Sequence, residues 1–164
     1  MSSDPTPGGA VSFMKKLRNE FKWQHMSGEI VMDIGCGEFF SCSQAIAHMF
    51  PGFECLIASD KRADVLRWPP PQNKYFEHLI KENLFRVLVA DIEDSTFIQD
   101  YIERVDRIVA RSVLHEVDNK MQALKNIYKI LKPGGAAAIL FRLDCPIGTW
   151  TNKMLSTSKW SGYI

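Results

Sequence analysis

Apolar positions along this chain fall into two rhythms, one helical and one of short branched runs, and they take turns. Residues 13–26, FMKKLRNEFKWQHM, set Phe13, Met14, Leu17 and Phe21 near helical spacing with Lys and Arg between them. That predicts an amphipathic helix covering one edge of a core. Residues 30–34, IVMDI, form a short apolar run bounded by Gly28 and Gly35, the pattern of a buried strand. Ser41-Cys42-Ser43-Gln44 has capping-box spacing, so a short helix is expected to start there and to stop at Pro51-Gly52. Residues 53–59, FECLIAS, read as a second strand closing on Asp60.

KRADVLRW, from Lys61, reads as helical until Pro69-Pro70-Pro71 stops it. Residues 74–84 predict a helix, 86–90 a third strand followed by Asp91, 95–104 a short helix and 106–111 a fourth strand. Asp118 is the expected N-cap of a helix whose core face would be Met121, Leu124, Ile127, Tyr128 and Leu131. Lys132-Pro133-Gly134-Gly135 should end that helix, and 136–141, AAAILF, is a fifth strand. Five strands alternating with helices over short connections predict an α/β fold: a doubly wound, mostly parallel sheet with helices on both faces.

Composition narrows the class. One domain suits 164 residues, and 46% hydrophobic with 24% charged residues is ordinary for a globular chain. A formal net charge of +1 gives no bulk field to attract nucleic acid or a membrane surface. Cys36, Cys42, Cys55 and Cys145 form no C-x-x-C and no cysteine–histidine metal spacing, so reduced thiols and no metal are expected. No signal pattern opens the chain and no run is long and apolar enough to span a membrane, so a cytoplasmic protein is expected. Residues 1–12, rich in Ser, Pro and Gly, are expected as a disordered lead, with one domain over 13–164.

Candidate chemistry gathers at the strand ends, because open parallel sheets bind ligands beyond their carboxyl edges. Strand one ends in Asp33-Ile34-Gly35-Cys36-Gly37, strand two in Asp60, strand three in Asp91-Ile92 and strand four in Arg111-Ser112. Glycines let a backbone turn tightly and pass close to a ligand. Asp60 lies where an acidic group commonly accepts from ribose hydroxyls, and Asp91 has the chemistry to accept from an adenine amino group. A dinucleotide fingerprint would need glycine at position 40, where Phe40 stands, so a dehydrogenase is disfavoured. Ordinary structural roles compete at several positions: His115 as a packed loop residue, Glu116 as a solvated one, Lys61-Arg62 as a solvated helix start, and Cys36 as an inert thiol.

Taken together, VMDIGCG at 31–37, ASDKRADVL at 58–66, VLVADIED at 87–94 and VDRIVARSVLHEVDNKMQALKNIYKILKPGG at 105–135 resemble class I S-adenosylmethionine-dependent methyltransferases. The likeness covers residues 13–141. Within the group, Asp91-Ile92-Glu93, Leu114-His115, residues 122–128 and KWSGY at 159–163 look most like the arthropod juvenile hormone acid methyltransferases. The resemblance implies a Rossmann-like methyltransferase fold with S-adenosyl-L-methionine as cofactor and a small lipophilic acceptor, a carboxylic acid among the candidates. It implies that the Asp33–Gly37 loop, including Gly35, Cys36 and Gly37, holds the methionine portion. Asp60 would take the ribose and Asp91 with Ile92 the adenine; Lys61 and Arg111 are further candidates to border the cofactor. His115 and Glu116 are the expected acceptor-side residues. No catalytic base is implied, since a carboxylate is already a nucleophile.

Three departures accompany the likeness. Phe39 stands at the family's third glycine. Glu116 stands where the hormone-type enzymes resemble a Leu-His-Trp sequence. The family's seven strands imply two more than are read here, so a domain lacking its last strands is expected. These departures also motivate a rival expectation, a non-catalytic relative that acts as a binding or partner module.

Overall fold

The computed structural model describes residues 7–66 and 74–141, together with Lys153 and Ser156 as isolated positions. In chain order the elements are α1 (Pro7–Glu20), β1 (Ile30–Ile34), α2 (Ser41–Met49), β2 (Cys55–Asp60), α3 (Lys74–Lys81) and β3 (Phe85–Val89). A 3₁₀ turn at Phe97–Tyr101 leads to β4 (Val105–Arg111), α4 (Lys120–Ile130) and β5 (Leu131–Leu140). All four strand pairings are parallel, in the order β3-β2-β1-β4-β5. The chain winds outward from β1 to β3 and then returns to the other side of β1 to lay down β4 and β5. The strand order therefore reverses between β1 and β4, which is where such sheets open a crevice at their carboxyl ends. The expected doubly wound α/β sheet is the observed one, and among the described residues it is wholly parallel.

Strand periodicity splits the core into two layers. Val31, Leu56, Ala58, Phe85, Val109 and Ala138 point to the face covered by α1, α2 and α3. Met32, Ile34, Ile57, Ile108 and Ala110 point to the face covered by α4 and the 3₁₀ turn. Polar ties close the amino-terminal edge. Asp106 accepts from the Ile30 N–H at 2.8 Å and from Lys132 Nζ at 2.7 Å, so one carboxylate joins β1, β4 and the entry to β5. Arg107 makes a two-pronged pair with Glu29 at 3.0 and 3.1 Å and lies over the Trp23 ring.

Several expectations change. The first helix spans Pro7–Glu20 rather than 13–26, so residues 7–12 are ordered helix and not part of a disordered lead. Proline suits a first helical turn, and Ala10, Met14 and Leu17 at helical spacing are all buried. The helix stops early because Lys22 takes a left-handed conformation and the Trp23 N–H turns back to the Leu17 carbonyl. Phe21, counted in the core face, is consequently exposed, while Trp23 and Met26 are buried from outside the helix. Residues 61–66 form turns rather than a helix. The Asp60 carboxylate takes the Arg62 N–H and the Arg62 guanidinium takes Asp64, so side-chain bonds replace helical ones.

The capping roles shift too. The N-cap of α2 is Phe40, not Ser41, and Gln44 reaches back to the Phe39 carbonyl rather than to a cap N–H. Asn119, not Asp118, caps α4, accepting from the Gln122 N–H. α4 is also rotated from its expected face. Ala123, Asn126, Ile127 and Ile130 are buried, whereas Met121, Leu124 and Tyr128 are exposed. The buried line includes a polar residue, which an apolar count passes over. The C-terminal tryptophans, Trp68, Cys145, the prolines at 69–71, the side chain of Tyr75 and residues 1–6 lie outside what the structure describes.

The rotation of α4 is directly checkable. Ile127→Ala should cost about 2–5 kcal/mol of unfolding free energy, and its neighbour Tyr128→Ala less than about 0.5 kcal/mol. Urea denaturation of the two variants measures both, and equal costs would refute the observed orientation.

Candidate functional site

Alternation along β1 puts Asp33 on the same face as Val31, under the start of α2 and at the carboxyl end of the central strand. It is 1% exposed, and the buried Ser43 hydroxyl in the first turn of α2 donates to its Oδ2 at 2.6 Å. Burial is the main reason that the Asp33 carboxyl is pushed up to about 7. The hydroxyl and backbone N–H of Ser43 pull the other way, Asp60 adds to the rise, and Arg111 opposes it.

The loop leaving β1 is built by its neighbours. The Gly35 and Cys36 N–H groups both donate to the Ser59 carbonyl, at 2.7 and 3.0 Å. Gly35 and Gly37 have φ of 67° and 64°, a region that other residues enter at a cost. A Cβ at Gly35 would collide with the Val113 side chain, whereas a Cβ at Gly37 would point into open space. The Gly37 N–H donates to Asp60 Oδ2 at 3.1 Å, tying the loop to the end of β2. Asp60 Oδ1 accepts from the Arg62 N–H at 3.0 Å, so the carboxylate is oriented from both sides.

The two phenylalanines after the glycines part company. Phe40 takes a left-handed conformation with φ 48° and is buried, edge-on to Phe85, which in turn meets Phe76. Phe39 is 56% exposed and borders the cavity above the loop. The aromatic pair thus anchors the loop through one ring and leaves the other at the rim.

The ends of β1 to β4 enclose a cavity of about 370 Å³. That is within the size range of small-molecule sites. Asp33, Gly35, Cys36 and Gly37 line it from the first loop, and Asp60 and Lys61 from the second. Asp91 and Ile92 line it from the third and Arg111 and Glu116 from the fourth. Of the expected site residues, only His115 is outside this lining; its Nε2 lies 3.7 Å from the Glu116 carboxylate, which is itself largely exposed. Glu38, Arg62, Val113 and Val117 also border the cavity. Ser43 and Val113 were missed in the sequence. The first was read only as part of a cap and the second was not singled out. Nothing local marks either one, because each matters through a partner that folding brings beside it, Asp33 for Ser43 and Gly35 for Val113.

Four carboxylates line the cavity, from Glu38, Asp60, Asp91 and Glu116, besides the Asp33 carboxyl that keeps its proton up to about pH 7, against Lys61, Arg62 and Arg111. Arg62 is already paired with Asp64 at 2.8 Å. Such a lining favours a ligand that carries positive charge. The Cys36 and Cys42 thiols are pushed up by burial, with Asp33 nearby adding to the rise, so neither has the character of a nucleophile. Among the described residues no group of His, Cys, Asp and Glu is arranged to hold a metal ion, and no helix is long and apolar enough to cross a membrane.

A family model described as a methyltransferase domain matches residues 32–139, from inside β1 to inside β5. The chain belongs to the methyltransferase-domain family. Curated relatives of this methyltransferase domain include the juvenile hormone acid O-methyltransferases of Drosophila melanogaster and Bombyx mori. They are 22% and 24% identical over 94% of this chain. The chain spans about half the length of each, 50% and 52%. A Methanococcus maripaludis protein described as an S-adenosyl-L-methionine-dependent methyltransferase shares the fold with a TM-score of 0.56 and 19% identity. The match covers 99% of this chain and 78% of that one. Geranyl diphosphate C-methyltransferase from Streptomyces coelicolor A3(2), solved with S-adenosyl-L-homocysteine, matches at 0.58 with 20% identity, over 79% of this chain and 43% of its own.

The buried Asp33 gives the methyltransferase domain a defined pH response. The native state keeps this proton up to about pH 7, whereas the unfolded chain releases it near 3.8. Between those values the native state binds more protons, so stability from Asp33 is full below about 3.8 and is lost as pH rises towards about 7. The slope is at most about 1.4 kcal/mol per pH unit. Asp33→Asn should remove that loss. In denaturation at a series of pH values, the wild type should fall relative to the variant up to about pH 7 and run parallel above it.

Proposed function

We propose that this domain binds S-adenosyl-L-methionine at the carboxyl ends of β1 to β4 and directs methyl transfer to a small, lipophilic acceptor. The observation that carries the reading is the Gly35–Gly37 turn, bonded to Ser59 and Asp60, beside a cavity where a Cβ at Gly37 would meet nothing. Such a turn brings bare backbone close to a ligand. The residues fit the cofactor. Asp33 and the 35–37 loop would hold its amino-acid portion. Asp60 has unused lone pairs for ribose hydroxyls, with Lys61 alongside, and Asp91 with Ile92 would meet the adenine. When bound, the cofactor supplies an electrophilic methyl group on a positively charged sulfur.

The chain's own contribution is then positioning and the exclusion of water, since no proton need move for a carboxylate nucleophile. Asp33 is a proton-bearing carboxyl that would ionise when an ammonium group is set against it, releasing the proton to solvent. Val113, Val117 and Phe39 give the rim an apolar side suited to a lipophilic acceptor. The exposure of Phe39 at the rim supports a working cofactor loop over the rival reading of a non-catalytic binding module.

The acid named in the curated relatives supports a carboxylic acid as the acceptor, and Glu116 bears on how such an acid would be received. Its carboxylate stands at the rim, with Arg62 also bordering the cavity. Two like charges a few ångströms apart in water repel by roughly 1 kcal/mol. Glu116→Gln should therefore lower the KM for a carboxylic acid acceptor by up to about fivefold and leave a neutral acceptor unchanged. Steady-state kinetics with paired acid and alcohol acceptors reads the difference.

The cofactor reading itself is tested by thermal unfolding with S-adenosylhomocysteine. At about a hundred times the dissociation constant the native state should gain roughly 2.7 kcal/mol. Gly37→Ala, which costs about 1–2 kcal/mol of backbone strain and puts a methyl group into the cavity, should abolish most of the shift. A cooperatively melting wild type with no shift would refute the reading.

A further inference from the structure

Asn126 is the one fully buried amide on α4, and it is not part of the cavity lining. Its Nδ2 donates to the Ile92 carbonyl at 2.7 Å, and its Oδ1 accepts from Gln122 Nε2 at 2.8 Å. The Ile92 carbonyl belongs to the same planar peptide as the Glu93 N–H, which donates to Asp91 Oδ1 at 2.9 Å. That single peptide is therefore gripped at both ends, by α4 on one side and by the Asp91 carboxylate on the other. Asp94 N–H closes the turn on the Asp91 carbonyl at 3.0 Å. The Glu93 carboxylate in turn accepts from the Asn119 N–H at 2.7 Å and the Asp118 N–H at 3.3 Å, at the start of α4. The same stretch leads directly from the loop that carries Val113, Glu116 and Val117.

We infer that Asn126 and Glu93 are positioning residues that set the Asp91–Ile92 turn from α4, and so make recognition of the adenine base depend on that helix. This rests on the cofactor reading above. The physical argument is one of satisfaction. A buried amide left without a partner is costly, so the turn cannot rotate its 92–93 peptide without stranding Asn126. Asp91 lines the cavity and its Oδ1 is held by the Glu93 N–H, which fixes the carboxylate and leaves Oδ2 for a ligand. An oxygen held in this way favours an exocyclic amino group and repels a carbonyl at the same position. Loss of either tie should thus blur the distinction between adenine and hypoxanthine, not merely weaken the fold.

The test is isothermal titration well below each melting temperature, with S-adenosylhomocysteine and S-inosylhomocysteine as probes. The wild type should prefer the adenosyl compound. Asn126→Leu keeps the number of side-chain heavy atoms and the branch point and removes the tie. Glu93→Gln is a near-isosteric change at a half-buried position that weakens the second tie and is expected to fold. In each, the preference should shrink by about fivefold or more, the size of one lost hydrogen bond. Tyr128→Ala, an exposed change on the same helix, should leave it intact. A purely structural role would lower the melting temperature and keep the ratio. Should Asn126→Leu fail to fold, Glu93→Gln decides alone. Preserved preference in the folded variants overturns the inference, as does a wild type that binds both probes equally. A folded wild type that binds neither overturns the cofactor reading on which it stands.

Discussion

A carboxyl group buried at the end of the central strand is the constraint around which this domain is arranged. Asp33 lies between the sheet and α2 with 1% of its surface exposed, and its proton affinity is raised accordingly. Leaving such a group unbonded would be costly, so the first turn of α2 must present Ser43 to it. That requirement sets where α2 begins, and hence how tightly the chain must turn between Ile34 and Ser41. The glycines at 35 and 37 supply the turn, and Ser59 and Asp60 of the adjacent strand hold it. One buried group thus joins two strands, a helix and the cavity wall.

The paired phenylalanines show how a bulky residue can be accommodated in such a loop. Phe40 accepts a left-handed backbone and is compensated by burial of a whole ring against Phe85. Phe39 is thereby directed to the rim, where it adds apolar surface without closing the cavity. The aromatic residue at position 39 is therefore part of the wall of the site.

The third and fourth loops are not independent. Glu93 and Asn126 join the Asp91–Ile92 turn to α4 at its amino terminus and along its buried face. Two of the cavity's walls are in this way mounted on a common helix, although the residues that line the cavity come from separate strand ends. A site assembled from loops gains precision when the loops are bonded to a packed element behind them.

Much of this was legible in the chain itself. The alternation of apolar runs and helical segments specified a parallel α/β sheet, because strands buried on both faces must be apolar throughout. The strand-end residues Asp33, Gly35, Gly37, Asp60, Asp91 and Arg111 were identifiable as cavity lining, because parallel sheets of this kind open a crevice where their strands finish. Local chemistry failed where distant partners decided. Tyr128 and Leu124 have the apolar character of a core face, yet α4 is turned so that Asn126 meets Ile92 34 residues away. KRADVLRW has helical propensity, yet the Asp60 carboxylate and the Arg62–Asp64 pair hold residues 61–66 in turns. Ser43 and Val113 have no mark in their neighbourhoods, because each matters only through a residue brought beside it by folding. Periodicity reports which face of an element is apolar. Which polar groups must be satisfied, and by whom, is settled only when the elements are packed together.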